Sequence, residues 1–109
     1  MPEFLGNILE NLLGKPATVK YPFEKPEQVP GTRGELFFNM LKCDQCQDCE
    51  RICPSEAIKV YPEEKKIEWS PFKCIYCHAC VRTCMHEAIE PLENVQSPDY
   101  KKKVVTFEI

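Results

Sequence analysis

The sequence lacks the features by which a short chain spans or crosses a membrane. None of its apolar runs approaches the about 20 residues needed to span a bilayer. The N-terminal stretch Met1-Pro2-Glu3-Phe4 has neither the basic segment nor the continuous apolar run of a secretory signal. We therefore expect a cytoplasmic chain, in a compartment where thiols stay reduced and disulfide frameworks are rare.

Features typical of nucleic-acid binding and of several kinds of catalysis are also missing. The formal charge is −3 with acidic and basic residues mixed, so no basic face indicates nucleic acid. The only basic run, at residues 101–103, is interpreted as part of a solvated tail. Glycine-rich phosphate loops, Ser/His/Asp arrangements and paired catalytic carboxylates are absent. In a chain of 109 residues this predicts one small domain without a catalytic site of its own.

Cysteine, in contrast, is abundant. A domain of this size buries only about two-thirds of its unfolded surface, so eight cysteines suggest an additional cross-link: disulfides, zinc or iron–sulfur clusters. All eight lie in an internal repeat, in which residues 42–60 align without gaps with residues 73–91. Such a repeat predicts two similar halves packed about a pseudo-twofold axis.

The spacing of the cysteines favours iron–sulfur clusters over the alternatives. Each run reads C-x2-C-x2-C-x3-C, the bacterial iron–sulfur pattern in which the fourth cysteine serves the other cluster. Structural zinc uses paired C-x2-C knuckles, so a third cysteine would be surplus, and cysteines crowded into short loops pair poorly as disulfides. We therefore predict two 4Fe–4S clusters with crossed ligands. Cluster one takes Cys43, Cys46, Cys49 and Cys84, and cluster two takes Cys74, Cys77, Cys80 and Cys53.

The residues between the cysteines differ in polarity between the two runs. Residues 44–50 are mostly polar or acidic outside the ligands, whereas residues 75–81 are largely apolar. We hypothesise that the two clusters lie in unlike environments, with run two the more covered; the alternative is that run one is a solvated face. For His78 and His86, beside ligands, a structural or surface role is favoured, since cysteine fills every ligand position.

The segments before the cysteine runs predict a helix and an arm. Apolar residues recur at helical spacing through residue 13, and Gly14 suits a C-terminal cap. This helix either covers the protein's own core or docks on a partner subunit. Four prolines in residues 15–30 predict an extended arm. The predicted organisation is a helix and docking arm over residues 1–30, a cluster domain over 31–95 and a C-terminal tail over 96–109.

Several short strands are predicted within and after the cluster domain. Residues 35–41 favour a strand that leads into the first cysteine run. Residues 58–61 and 66–69 are rich in β-forming residues and flank a turn at Pro62-Glu63-Glu64-Lys65, which predicts a hairpin. Residues 104–109 alternate and predict an edge strand. The fold class is therefore α+β.

Over residues 42–89 the chain resembles the bacterial two-cluster (2×4Fe–4S) ferredoxins, in all eight cysteine positions and in Pro54. The resemblance implies short two-stranded β elements and short helices around the clusters, related by pseudo-symmetry. Two departures stand out. Met85 occupies the position of a proline, and the glycine common in the cysteine loops is replaced by residues such as Gln45 and Tyr76.

The residues before the cysteine runs resemble a more specific group of proteins. Residues 15–24 (KPATVKYPFE) and Arg33-Gly34 resemble the ferredoxin-like subunit of complex I and of the membrane-bound energy-converting nickel–iron hydrogenases, including the Ech type and the formate hydrogenlyases. The resemblance implies an electron-transfer subunit, peripheral on the cytoplasmic face of the membrane. Its partners would be a cluster-bearing small subunit, the membrane arm, and a donor such as ferredoxin or a dehydrogenase module. The alternatives are a free soluble ferredoxin and a structural zinc module.

Overall fold

The computed structural model describes residues 2–109, so Met1, part of the stretch compared with a secretory signal, lies outside the described residues. Helices and strands alternate irregularly along the chain, as in α+β proteins. Their order is α1 (Pro2–Leu13), β1 (Leu36–Phe38), α2 (Asp48–Ile52), β2 (Ile58–Tyr61), β3 (Lys66–Trp69), α3 (Ala79–Thr83), β4 (Ile89–Pro91) and β5 (Val105–Glu108).

Two antiparallel sheets frame the compact part of the chain. One pairs β1 with β4 and the other has the strand order β2-β3-β5. The hairpin predicted around residues 62–65 is confirmed, with Ile58 opposite Trp69 and Tyr61 opposite Lys66. Strand β1 is shorter than the predicted 35–41, because a turn begins at Asn39. The carbonyl of Asn39 accepts from Lys42 N–H at 3.2 Å, and its side chain accepts from Leu41 N–H at 3.2 Å.

The C-terminal strand is part of this framework. β5 pairs with β3, with Phe107 opposite Ile67. The ring of Phe107 lies 5.1 Å from that of Phe38, centroid to centroid, and so joins the two sheets. Residues 96–109, predicted as a tail, thus contribute a strand to the sheet, and the packed part of the chain extends beyond residue 95.

The apolar core lies against the cysteine runs. Its largest fully buried side chains are Trp69, Ile58 and Ile67. Burial of a side chain of this size contributes about 1.5–3 kcal/mol. Cys80 is itself a member of the core. Five more cysteines pack against the core: Cys43, Cys49, Cys53, Cys74 and Cys84. The core therefore fixes the positions of most of the thiols.

Gly34 marks the start of the compact part. Its N–H donates to the Leu92 carbonyl at 3.0 Å, and the next N–H, of Glu35, donates to the Asn94 carbonyl at 2.8 Å. A Cβ atom at position 34 would collide with both carbonyl oxygens, so this close backbone approach requires glycine.

The N-terminal extension does not pack on the core. Every residue from 4 to 30 is exposed, and the apolar side chains of α1 range from 47% exposed at Ile8 to 82% at Leu13. The Cα radius of gyration is 20.7 Å, against about 13 Å for a compact domain of 100 residues. The interpretation that α1 covers the protein's own core is therefore wrong.

The internal repeat is visible in the backbone. Helices α2 and α3 are each five residues long and pack against each other. Left-handed backbone angles recur at matched positions of the repeat, for example at Gln47 (φ 65°) and His78 (φ 56°), which are the N-caps of the two helices. Non-glycine residues seldom adopt this conformation, so its recurrence shows that the two cysteine loops have the same shape.

Candidate iron–sulfur site

Two cavities lie between the cysteine loops and the core. Cavity one has about 370 Å³ of space free of protein atoms, and cavity two about 280 Å³, both including space that is open to solvent. The cysteines that line cavity one are Cys43, Cys46, Cys49 and Cys84. Those that line cavity two are Cys53, Cys74, Cys77 and Cys80. The structure thus brings together three cysteines of one run and the last cysteine of the other run at each cavity.

Backbone N–H groups point at the sulfur atoms in the same way in both halves. The N–H groups of Gln45 and Tyr76 each donate to the Sγ of the cysteine two residues earlier, at 3.4 Å. Those of Ala57 and Ala88 donate to the Sγ of Cys53 and Cys84, at 3.3 and 3.4 Å. Such bonds stabilise the thiolate form, which is the form that binds metal. The left-handed angles at Gln45 and Tyr76 accompany the first pair of bonds.

The pKa values of the thiols show how crowded the cavities are. Burial, reinforced by the neighbouring thiols, raises the pKa of Cys49 to about 12. Burial also raises the pKa of Cys80 to about 11, although the N–H of Val81 opposes the shift. At Cys53, burial opposes ionisation, but hydrogen bonds led by the N–H of Ala57 outweigh it and lower the pKa. Four thiols this close together can all ionise only when a bound cation offsets their charge.

The donor set does not fit the two alternatives considered from the sequence. All eight cysteines are free thiols rather than disulfides. Within residues 2–109, no three His, Cys, Asp or Glu side chains converge tightly enough to hold a single metal ion. A zinc ion needs four ligands at about 2.0–2.3 Å, whereas a cubane contacts its four thiolates at separate corners. The two cavities therefore fit clusters better than single ions.

The two cavities differ in their surface-side residues and in the exposure of one cysteine, while core residues line both. Cavity one is bordered by Asp44, Asp48 and His86 on its surface side and by core residues such as Val60, and its ligand candidate Cys46 is exposed. Cavity two is bordered mainly by aliphatic residues, and the matching Cys77 is half-buried.

Contacts across the chain hold both cysteine loops. At cavity one, His86 Nε2 lies 2.9 Å from Asp44 Oδ2, which joins the first loop to the residues after Cys84. At cavity two, Arg33 donates to the Cys77 carbonyl at 3.4 Å, so the start of the compact part supports the second loop. His86 thus has a contact at the surface, as expected from the sequence.

Two residues were not identified as part of the site from the sequence. His78 lines cavity two, and its Nε2 atom is buried without a hydrogen-bond partner among the described residues. Ser55 lines the same cavity, with its Oγ 3.6 Å from Cys53 Sγ. Their positions, one residue after Cys77 and two residues after Cys53, are the only signal in the sequence, because burial and side-chain contacts depend on the tertiary fold.

Comparisons with known proteins agree with this geometry. The family described as 4Fe-4S dicluster domain matches residues 35–85, which include all eight cysteines. The chain is 38% identical over 50 residues to NAD(P)H-quinone oxidoreductase subunit I of Gloeobacter violaceus, covering 46% of this chain and 24% of that protein. It is 37% identical over 68 residues to the same subunit of a Synechococcus species, covering 59% of this chain and 32% of that protein. The chain thus spans about a quarter to a third of the length of these relatives.

A solved structure extends the similarity beyond the cysteine runs. The fold matches a chain of the membrane-bound sulfane sulfur reductase, an archaeal respiratory membrane complex, with a TM-score of 0.63 and 28% identity. The match covers 88% of this chain and 53% of that one. Residues 35–85 are therefore similar to the 4Fe–4S dicluster domain family, and the chain is similar over 50 to 68 residues to subunit I of NAD(P)H-quinone oxidoreductases.

Proposed function

We propose that this chain is an electron-transfer subunit that carries two 4Fe–4S clusters and relays electrons within a membrane-associated oxidoreductase of the complex I or hydrogenase type. The observation that carries the proposal is the pair of cavities, each lined by three cysteines of one run and the fourth of the other. When bound, a 4Fe–4S cluster accepts and releases single electrons, at a potential that its surroundings set.

The protein's own residues would hold the clusters and control their surroundings. Cys43, Cys46, Cys49 and Cys84 would ligate cluster one, and Cys74, Cys77, Cys80 and Cys53 would ligate cluster two. The N–H groups of Ala57 and Ala88 support the two crossing thiolates, Cys53 and Cys84. Since each half supplies a ligand to the other, ligation would join the two halves into a pseudo-twofold two-cluster ferredoxin fold. Cluster binding would therefore be coupled to folding.

The proximity of the two sites supports a relay. Helices α2 and α3, which follow the two cysteine loops, pack directly on each other. The thiol of Cys80, at cavity two, contributes to the raised pKa of Cys49, at cavity one. Two redox groups in these cavities would therefore be neighbours, with one accessible through the exposed Cys46 side.

The N-terminal extension supports a subunit rather than a free carrier. Its apolar side chains are exposed, with Phe4 at 70% and Leu12 at 76%, which is costly for a protein that stays alone in water. The match to the sulfane sulfur reductase chain covers 88% of this chain, which is more than residues 31–109 alone can supply, so it includes part of the extension. We infer that α1, as an amphipathic helix, and the arm dock on partner subunits.

The proposed partners are a cluster-bearing small subunit, the membrane arm, and an electron donor such as ferredoxin or a dehydrogenase module. The proposed location is peripheral, on the cytoplasmic face of the membrane. None of the helices in residues 2–109 has the length and apolarity to cross a bilayer.

Anaerobic isolation of the tagged chain from solubilised membranes tests this function. We expect a brown complex with about eight iron and eight sulfide per chain and complex I-like subunits alongside it. Nickel in the complex would identify the hydrogenase branch, and its absence the quinone-reductase branch. Two clusters in a chain that stays alone in the soluble fraction would instead establish a mobile ferredoxin. A colourless protein with zinc would overturn both readings.

A further inference from the structure

We propose that His78 donates a hydrogen bond from Nε2 to the cluster held in cavity two, and thereby raises the reduction potential of that cluster. The inference rests on the proposed function, because it requires a cluster in that cavity. It assigns a potential-setting role to a residue that the ligand pattern leaves without one.

The first step is the state of the imidazole. His78 lines cavity two between Cys77 and Ala79, and its Nε2 atom is buried with no hydrogen-bond partner among the described residues. A buried polar atom without a partner costs about 1–3 kcal/mol, so native structures almost always satisfy it. The missing partner should therefore be something that the cavity holds.

The second step is the chemistry of the partner. Sulfide and thiolate sulfur atoms of an iron–sulfur cluster accept hydrogen bonds and have no proton to donate. An imidazole nitrogen facing them must therefore carry the proton and act as the donor. Hydrogen bonds to cluster sulfurs are among the interactions that set the potential, and they favour the reduced form because it is the more negative.

The third step is the matched position in the other half, Gln47. It has the same left-handed backbone (φ 65°, against 56° at His78) and also caps a five-residue helix. Gln47 lines cavity one, but it also borders two open surface grooves, and its amide is not a buried atom lacking a partner. The proposed hydrogen bond is therefore specific to the second half.

The test compares two substitutions that differ in one capability. His78→Gln keeps an N–H, because its amide nitrogen is the same number of bonds from Cα as the histidine Nε2. His78→Leu removes the N–H. Both variants place a side chain that is unbranched at Cβ on the same left-handed backbone. The control Gln47→Leu makes the same apolar change at the matched position.

The full chain is isolated anaerobically, its iron and sulfide are counted, and each cluster is titrated by electron paramagnetic resonance. In His78→Leu we expect the equilibrium constant for reduction of the cluster in cavity two to fall about tenfold. This corresponds to a reduction potential lower by about 59 mV for one electron. His78→Gln should retain most of the native potential, and Gln47→Leu should leave that cluster's potential unchanged. Unchanged potentials in His78→Leu, with both clusters present, would overturn the inference.

A second readout detects the hydrogen bond itself. The chain has only two histidines, so labelling with 15N-histidine marks His78 and His86 alone. Pulsed electron paramagnetic resonance of the reduced protein should show a 15N coupling that persists in His86→Gln and disappears in His78→Gln. A coupling that survives in His78→Gln would contradict the assignment. Loss of iron from the native chain would instead count against the proposed function.

Discussion

The two halves of the cluster domain share one backbone plan but present different surfaces to their cavities. The hydrogen bonds to sulfur and the left-handed residues recur at matched positions of the repeat. In the first half the loop is polar, Cys46 is exposed and Cys49 is half-buried, whereas in the second half the matching Cys77 is half-buried and Cys80 is buried. The repeated features are those that would hold a cluster, and the features that differ are those that would set its potential and its access to solvent.

Two pairs of matched positions show that the side chains of the repeat differ where the backbone donors differ. Glu50 accepts a hydrogen bond from the N–H of Val60 at 2.9 Å. In the second half the corresponding residues are Val81 and Pro91. Since proline has no N–H, an acceptor at position 81 would have nothing to bind, and a valine there leaves no polar group unsatisfied.

The largest effect should come from removing one crossing ligand. Because Cys53 lines cavity two, Cys53→Ser should cost the cluster held by the second run, although Cys53 belongs to the first run. Anaerobic alkylation with mass spectrometry should then find Cys74, Cys77 and Cys80 reactive and the cysteines of cavity one protected. The matched variant Cys84→Ser should give the opposite pattern. If Cys53→Ser exposed Cys43, Cys46 and Cys49 instead, ligation would not be crossed.

The next effect concerns access to the two clusters. Since Cys46 is exposed and the matching Cys77 is half-buried, a ferrous chelator should remove iron in two phases, with cluster one in the fast phase. The ligand variants assign the phases: Cys53→Ser should retain the fast phase and Cys84→Ser the slow one. A single rate for all the iron in the native chain would show that the polar first run does not make cluster one more accessible to the chelator.

A third comparison concerns two residues with left-handed backbones, Gln45 and Tyr76. Glycine suits both angles, but Tyr76 also packs edge-on against Trp69 and donates to the Pro71 carbonyl at 3.4 Å. Tyr76→Gly should therefore lower the free energy of unfolding by about 2–4 kcal/mol, near the lower end of the cost of truncating a buried aromatic residue. Gln45→Gly should change it by less than about 1 kcal/mol. Thermal unfolding under anaerobic conditions measures both, and equal losses would contradict the argument.

Local patterns in the sequence predict the features of the fold that depend on local chemistry. The β-forming residues around Pro62 predict the β2–β3 hairpin, which the structure forms at those residues. The cysteine spacing predicts which thiols meet, since a short ligand loop leaves few alternatives. Residues 104–109 were predicted as an edge strand, and β5 forms within them.

Features that depend on tertiary surroundings could not be predicted in the same way. The helical pattern of residues 4–13 is the same whether the apolar side chains face a core or a partner, and only the structure shows that they remain exposed. Likewise, a histidine between two cysteines is consistent with a surface residue. The burial of His78 Nε2 results from the packing of the loop, which has no local signature.

The smallest effect should come from Glu50, whose acceptor is present in only one half. Glu50→Ala leaves the N–H of Val60, a buried residue, without its partner, at a cost of about 1–3 kcal/mol. Glu50→Gln retains an acceptor oxygen and should restore most of the loss, whereas Val81→Glu at the matched position should gain no hydrogen bond because Pro91 cannot donate. Thermal unfolding of the three variants should therefore rank Glu50→Gln above Glu50→Ala. If the alanine and glutamine variants were equally destabilised, the carboxylate would act through its charge, and the explanation for the valine at position 81 would fail.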